Sequence, residues 1–292
     1  MANHAIRQFE LLQTRARGRI PSLFLDFDGT LAPIVDKPDK AAMMPGLRAL
    51  LQDFAQHTEV AVVSGRDLRD LEKKVQITDL SYVGTHGLQI RLKNSSSVHE
   101  EIALDHERRD VANLAEELCR CLQGKFRVSG RNCGGVRIES KDTCVAVHYR
   151  EADQGKVAEI LDIVDNIVKH YSSLRKLQCK MAIDIRPNVS WDKGSAVNWL
   201  LTNNADRMNA DPFPIYIGDD ETDQDAFQVV KAGGIGIYVG PPDKQGAAEY
   251  FLDSPAEVRE FLSMLLDFLF LGGLMSAPLQ SFEELHTRPP LS

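Results

Sequence analysis

A chain of 292 residues, 43% hydrophobic and 26% charged, has the apolar content for a sizeable core and the length for about two domains at ~150 residues each. Its formal net charge of −8 argues against a protein that tracks a nucleic-acid backbone, because displacing counterions needs clustered Lys and Arg. The five cysteines, Cys119, Cys121, Cys133, Cys144 and Cys179, are odd in number and lack metal-ligand spacing, which suits reduced thiols rather than a disulfide framework.

In chain order, Ile6, Phe9 and Leu12 recur at helical spacing between Ala5 and Arg17, predicting a leading helix laid on the core. No apolar run of signal-peptide type precedes it, so the expectation is a cytoplasmic protein. Ser22 to Asp26 is an apolar run ending in carboxylates and a glycine, a buried strand opening into a loop. Helical periodicity from Pro45 to Gln56 leads to a second buried strand, Glu59 to Val63, with Ser64-Gly65-Arg66 directly after it. A third strand, Phe213 to Ile217, runs into Gly218 to Glu221 and a helix from about Thr222. Strand, loop and helix in alternation predict a parallel sheet with covering helices, built from both ends of the sequence.

Between these ends the pattern changes: a helix from about Glu107 to Leu122, strands Gly135 to Ser140 and Thr143 to Arg150, a helix Asp153 to Tyr171, and a strand Gln178 to Arg186. A short polar turn around Lys141-Asp142 predicts a hairpin. The expected organisation is a leading helix at 1–19, a discontinuous core at 20–105 and 187–270, an inserted α+β domain at 106–186, and a tail at 271–292. Phe261 to Met275 is the most apolar stretch, but Asp267 and a Gly pair interrupt it and it is shorter than the ~20 residues of a spanning helix, so it reads as a packed helix with no membrane partner.

Chemistry concentrates at the predicted strand ends. Asp26-Phe27-Asp28-Gly29-Thr30 puts two carboxylates at the carboxyl end of a buried parallel strand, where open α/β sheets bind ligands. Their mutual repulsion is relieved by a hard cation with oxygen ligands, magnesium above all. Asp26 has the position of a nucleophile and Asp28 that of a general acid and base; the plainer alternative is an acidic loop that caps a helix. Ser64, between strand and helix, suits holding phosphoryl oxygens or simply capping. Lys193, at the predicted start of a helix, stands where the helix dipole disfavours a cation, so it needs a partner such as a phosphoryl group and the nucleophile. Gly218-Asp219-Asp220-Glu221-Thr222-Asp223 packs four acids into one loop; capping uses one, and metal binding accounts better for the set.

These four segments, in this order, resemble the motifs of the haloacid dehalogenase superfamily of phosphohydrolases. A closer similarity, from about Leu23 to Phe268, is to trehalose-6-phosphate phosphatases. It rests on Leu25 to Ile34, Ser64-Gly65-Arg66, Gly84 to Gly87, Glu139-Ser140-Lys141, His148-Tyr149-Arg150, Ile185-Arg186-Pro187 and Gly218 to Phe227. The resemblance implies an α/β fold, a Rossmann-type core with an inserted α+β cap of the C2 type. It implies Asp26 as nucleophile, Asp28 as acid and base, and Ser64 and Lys193 as phosphoryl ligands. Magnesium would be held by Asp26, the Asp28 carbonyl and Asp219, with Asp223 orienting the shell; a share for Asp220 stays open.

Strand alternation puts Arg137, Glu139 and Lys141 on one face of the inserted hairpin, and Ala182, Asp184 and Arg186 on one face of the next strand. A solvated sheet face is the ordinary explanation; the resemblance makes Arg137, Glu139, Lys141 and Asp184 sugar contacts, with Asp184 where the family usually has the longer Glu. It also implies substrate contacts from Gly65, Arg66 and His86, although Arg66 has nearby acids to pair with. The activity so implied is hydrolysis of trehalose 6-phosphate, a small-molecule substrate, at the last step of trehalose synthesis. Alternatives are a phosphatase for sucrose, glucosylglycerol or mannosylglycerate phosphate, or a silent sugar-phosphate sensor.

Overall fold

The computed structural model describes residues 3–95, 98–100, 105–126, 132–133, 135–140, 144–179, 181–189, 191–203 and 212–271. In chain order the elements are β1 (Asn3–His4), α1 (Phe9–Ala16), β2 (Ile20–Leu25), α2 (Leu47–His57), β3 (Val60–Val63), α3 (Leu68–Val75), β4 (Ser81–Gly84), β5 (Gln89–Arg91) and β6 (Val98–Glu100). Then come α4 (Asp105–Phe126), β7 (Asn132–Cys133), β8 (Val136–Ser140), β9 (Val145–His148), α5 (Val157–Val168), β10 (Leu174–Cys179) and β11 (Ala182–Pro187). The chain continues through α6 (Lys193–Asn203), β12 (Pro212–Gly218), α7 (Gln224–Val230), β13 (Ile235–Val239), β14 (Tyr250–Leu252) and α8 (Pro255–Leu271). It divides into two units, Met1–His99 with Trp191–Ser292, and Glu100–Ser190.

In the first unit the described strands form one sheet in the order β1-β14-β13-β12-β2-β3-β4-β5-β6, parallel from β1 to β4 and antiparallel between β4 and β5. The central strands are buried on both faces, as near-continuous apolar runs require. Leu23, Leu25, Val60, Val62, Ile215 and Ile217 pack toward α1, α2, α3 and α8. Phe24, Ala61, Val63 and Tyr216, one residue out of phase, pack toward α6 and α7. Strand β2 therefore has β12 on one side and β3 on the other, the switch point at which α/β sheets open a crevice at the strand ends.

The leading helix is shorter than its periodicity suggests, and β1 before it joins the sheet edge, a two-residue strand too brief for any pattern to announce. No helix among the described residues is long and apolar enough to cross a membrane. The tail at 272–292 lies outside the described residues.

The second unit is an antiparallel sheet, β10-β11-β9-β8-β7. Val136, Ile138, Val145, Val147, Ile183 and Ile185 form one face, packed on Leu114 and Leu118 of α4 and Ile160 and Val164 of α5. One expectation needs correction. Gln178 to Arg186 is not a single strand: β10 and β11 pair antiparallel with Cys179 opposite Ala182, and Met181 takes the left-handed conformation that reverses the chain. A methionine carries no turn signal, and the apolar alternation continues through it. The turn at Lys141 and Asp142 is outside the described residues.

Candidate active site

Asp26 follows β2 directly, and its N–H donates to Ile217 O of β12 at 2.9 Å, so strand pairing fixes its backbone. The chain then turns tightly, with Gly29 N donating to Ala32 O at 2.7 Å. Gly29 has φ +83°, and a Cβ there would lie 2.0 Å from Asp219 Oδ2. Only glycine both adopts that turn and lets the Asp219 carboxylate come so close.

Lys193 opens α6 and is buried. Its ammonium donates to Asp26 Oδ1 and to Asp223 Oδ1, each at 2.7 Å. Asp223 is saturated from three directions, because Tyr216 OH donates to Oδ1 at 2.5 Å and Asp220 N to Oδ2 at 2.9 Å. Burial by itself would lower the Lys193 pKa, but Asp223 and Asp26 outweigh it and hold the ammonium charged. Burial pushes Asp26 well above the carboxylate range, with repulsion from Asp223 and Asp219 adding and Lys193 opposing. Asp219 is pushed up to about 7, first by burial and then by Asp223. Tyr216 is raised too, by burial and then Asp223, so it stays a neutral donor.

Carboxylate oxygens of Asp26, Asp219 and Asp223 lie within 4.8 Å of one another. Ionised together, three crowded acids beside one ammonium would carry surplus negative charge, and an all-oxygen donor set of this kind fits a hard divalent cation. Asp220 is occupied with the backbone instead. Its carboxylate accepts Glu221 N at 2.6 Å and forms a reciprocal capping box with Asp223 over the turn Glu221–Asp223.

Ser64 is buried at the end of β3, where its N–H donates to Val83 O at 2.8 Å and its Oγ accepts Arg66 N at 3.2 Å. It does not cap α3; Asp67 does, accepting Arg69 N at 2.9 Å. Arg66 pairs with two of the nearby acids. Its guanidinium grips the Asp28 carboxylate as a fork, at 2.5 and 2.7 Å, and donates to Asp70 Oδ2 at 2.7 Å and Pro38 O at 2.9 Å. The Asp28 side chain is thus directed at Arg66, not at the Asp26, Asp219 and Asp223 group.

Thr85 and His86 both have positive φ, +49° and +55°, a cost tolerated where surrounding contacts over-determine the backbone. Those contacts are Thr85 N to Arg66 O at 2.7 Å, His86 N to Ser64 O at 3.0 Å, and Trp191 Nε1 to Gly87 O at 2.7 Å. The His86 ring lies where a Cβ on Gly65 would be, 2.4 Å away. The loops after β2, β3, β4 and β12 and the start of α6 therefore bring Asp26, Asp28, Ser64, Gly65, Arg66, His86, Lys193, Asp219 and Asp223 to one end of the sheet.

The second unit carries the others. Arg137 and Glu139 share the face of β8 opposite Val136 and Ile138, and Asp184 is half-buried on β11. Glu139 Oε2 lies 3.1 Å from His148 Nε2 and 3.8 Å from Arg137 Nη2. Lys141 lies outside the described residues. Sequence reasoning missed Tyr216 and Asp70; a tyrosine two residues before Gly218 in an aliphatic strand is the signal that was there for the first, and spacing of four from Arg66 for the second.

A parallel core with an inserted antiparallel unit is the fold of the haloacid dehalogenase-like hydrolases. The solved structure of such a hydrolase from Bacteroides thetaiotaomicron superposes with a TM-score of 0.60 at 17% identity, covering 85% of this chain and all of that one. The C-terminal domain of trehalose-6-phosphate phosphatase from C. albicans gives 0.73 at 23% identity, covering 91% and 98%. Residues 24–256 match the trehalose-phosphatase family. Trehalose 6-phosphate phosphatase RA3 of Zea mays is 37% identical over 270 residues, 89% of this chain and 74% of that protein. A probable trehalose-phosphate phosphatase D of Arabidopsis thaliana is 35% identical over 274 residues, 91% and 73%. The chain belongs to the trehalose-phosphatase family.

Proposed function

We propose that this protein hydrolyses trehalose 6-phosphate to trehalose and phosphate, the last step of trehalose synthesis, through a phosphoryl group carried on Asp26. The observation that supports the chemistry best is the buried Asp26 held at 2.7 Å by Lys193 beside Asp219 and Asp223. A carboxylate so placed is oriented for in-line attack and needs charge compensation to react.

In the first step Asp26 attacks phosphorus, the bond from phosphorus to the sugar oxygen breaks, and Asp28 gives that oxygen a proton. In the second, Asp28 takes a proton from water as its oxygen attacks phosphorus, and Asp26 is released with phosphate. Ser64 and Lys193 bind the phosphoryl oxygens. Asp28 must leave the Arg66 fork to act, so that pair describes a resting arrangement. Asp26, Asp219 and the Asp28 carbonyl would hold magnesium, with Asp223 orienting its shell, and the ion would supply the charge neutralisation that lets a phosphate dianion meet a carboxylate.

The second unit, Glu100–Ser190, is assigned as the cap domain, with Arg137, Glu139, Lys141 and Asp184 as its sugar contacts; within the core, Gly65, Arg66 and His86 are assigned as substrate contacts. The location is assigned as cytoplasmic. The test is phosphate release from trehalose 6-phosphate, glucose 6-phosphate, sucrose 6-phosphate and glucosylglycerol phosphate, with magnesium or EDTA, by the wild type and Asp26→Asn. A magnesium-dependent preference for trehalose 6-phosphate, lost in Asp26→Asn, is expected. Preference for another ester would overturn the sugar assignment, and release from none would overturn the enzyme reading.

A further inference from the structure

At the far edge of the core sheet, four strands from β2, a second group of ligand-type side chains converges. His4 of β1 sits in parallel register with Phe251 of β14, and its ring is only 7% exposed. Asp253 follows β14, and Glu257 lies in the first turn of α8. His4 Nε2 is 3.1 Å from Glu257 Oε2 and 3.7 Å from Asp253 Oδ2, and ligand atoms of all three residues lie within 4.8 Å of one another.

The hydrogen bonding is what separates this group from an ordinary ion pair. Neither ring nitrogen of His4 makes a hydrogen bond, although both are buried, and leaving such a group unsatisfied is costly. An imidazolium paired with carboxylates would aim its N–H at one of them. Here the Glu257 oxygen stands 3.1 Å from Nε2 and yet no hydrogen bond joins them, which leaves the imidazole nitrogen available to a cation. Two ligands each about 2.1 Å from one ion stand 3.1 to 3.7 Å apart when they subtend about 95° to 125°, the range around a tetrahedral centre. The ligands are also held in place: the His4 ring meets Phe251 edge-on at 5.0 Å, and Glu257 Oε2 accepts Asp253 N at 2.8 Å, which ties the two acids together.

From these observations we propose that His4, Asp253 and Glu257 form a binding site for a divalent transition cation of the zinc type, distinct from the magnesium group at Asp26. The donor set decides the class of ion. Imidazole with two carboxylates suits zinc, cobalt or manganese, whereas magnesium prefers an all-oxygen octahedron. Asp253 is 58% exposed, giving the ion a path from solvent and leaving a fourth position for water. Bound there, the cation ties the β1 segment to β14 and the start of α8, so its role is to hold the sheet edge rather than to react.

The site stands apart from the phosphatase reading and is tested without it. Zinc stoichiometry by equilibrium dialysis in saturating magnesium, and the visible spectrum of the cobalt form, are measured for the wild type, Asp26→Asn, His4→Ala and Glu257→Gln. One equivalent that survives Asp26→Asn and disappears in His4→Ala is expected, with phosphate release by His4→Ala unchanged. Losing an outer-shell partner already costs about 10–100-fold in metal affinity, so Glu257→Gln, which keeps the shape of the side chain, binds at least about tenfold more weakly. No equivalent beyond the one lost in Asp26→Asn, or one that persists in both His4→Ala and Glu257→Gln, would overturn the proposal.

Discussion

Replacing Tyr216 by phenylalanine removes one oxygen from the most buried part of the acid and lysine network. That hydroxyl donates to Asp223 Oδ1 at 2.5 Å, within the range of charge-assisted O–H to carboxylate bonds. The ring would keep its edge-on packing against Phe227 at 5.4 Å, so no large cavity opens. The loss is therefore that of a hydrogen bond to a charged acceptor, about 1.5–3 kcal/mol, or a fall in Tm of about 3–12 °C for a unit of this size. Asp223 retains Lys193 and the Asp220 N–H but is free to rotate between them. If it orients the metal shell, magnesium affinity drops by about 10–100-fold. Thermal melts with and without magnesium, and a magnesium titration of phosphate release, measure both effects. Unchanged stability and unchanged magnesium dependence would refute the reasoning; lower stability with unchanged affinity would reduce Asp223 to a structural part.

Without metal, stability should depend on pH in a set direction. The Asp219 pKa is raised from 3.8 to about 7 and Asp26 is raised as well, so the folded state holds protons that the unfolded state releases. The contribution of these two groups to stability in EDTA is then full below about pH 4 and falls as pH rises toward about 7; saturating magnesium should flatten that slope, and parallel curves in both buffers would count against the metal group. Gly65→Ala should lower kcat/KM for trehalose 6-phosphate by about 10²-fold with the circular dichroism of the fold retained. Its Cβ would lie 2.4 Å from the His86 ring, and the strained backbone of His86 leaves the ring little room to move; wild-type kinetics would show that the ring does not matter.

The central strands were legible because burial on both faces leaves an uninterrupted apolar run, as in Phe24 and Leu25 or Val60 to Val63. Acids, glycines or a serine stopping such runs then marked the strand ends. Lys193 stood out for an electrostatic reason, a cation at a helix start that needs a partner such as a phosphoryl group and the nucleophile; the structure places it on Asp26 and also on Asp223. The β10 and β11 hairpin was not legible, since alternation cannot tell a strand that continues from one that folds back at Met181. Nor was the fork between Arg66 and Asp28, which are distant in sequence and meet only because β2 and β3 are neighbours. His4 is similar, an ordinary residue until β1 pairs with β14.

The most direct test of the proposed reaction is its stereochemical course at phosphorus, followed with trehalose 6-phosphate carrying an isotopically chiral thiophosphate. Two successive in-line displacements, the first by Asp26 and the second by water, predict net retention of configuration. Inversion would mean that water attacks the substrate directly, and would contradict the assignment of Asp26 as the group that carries the phosphoryl.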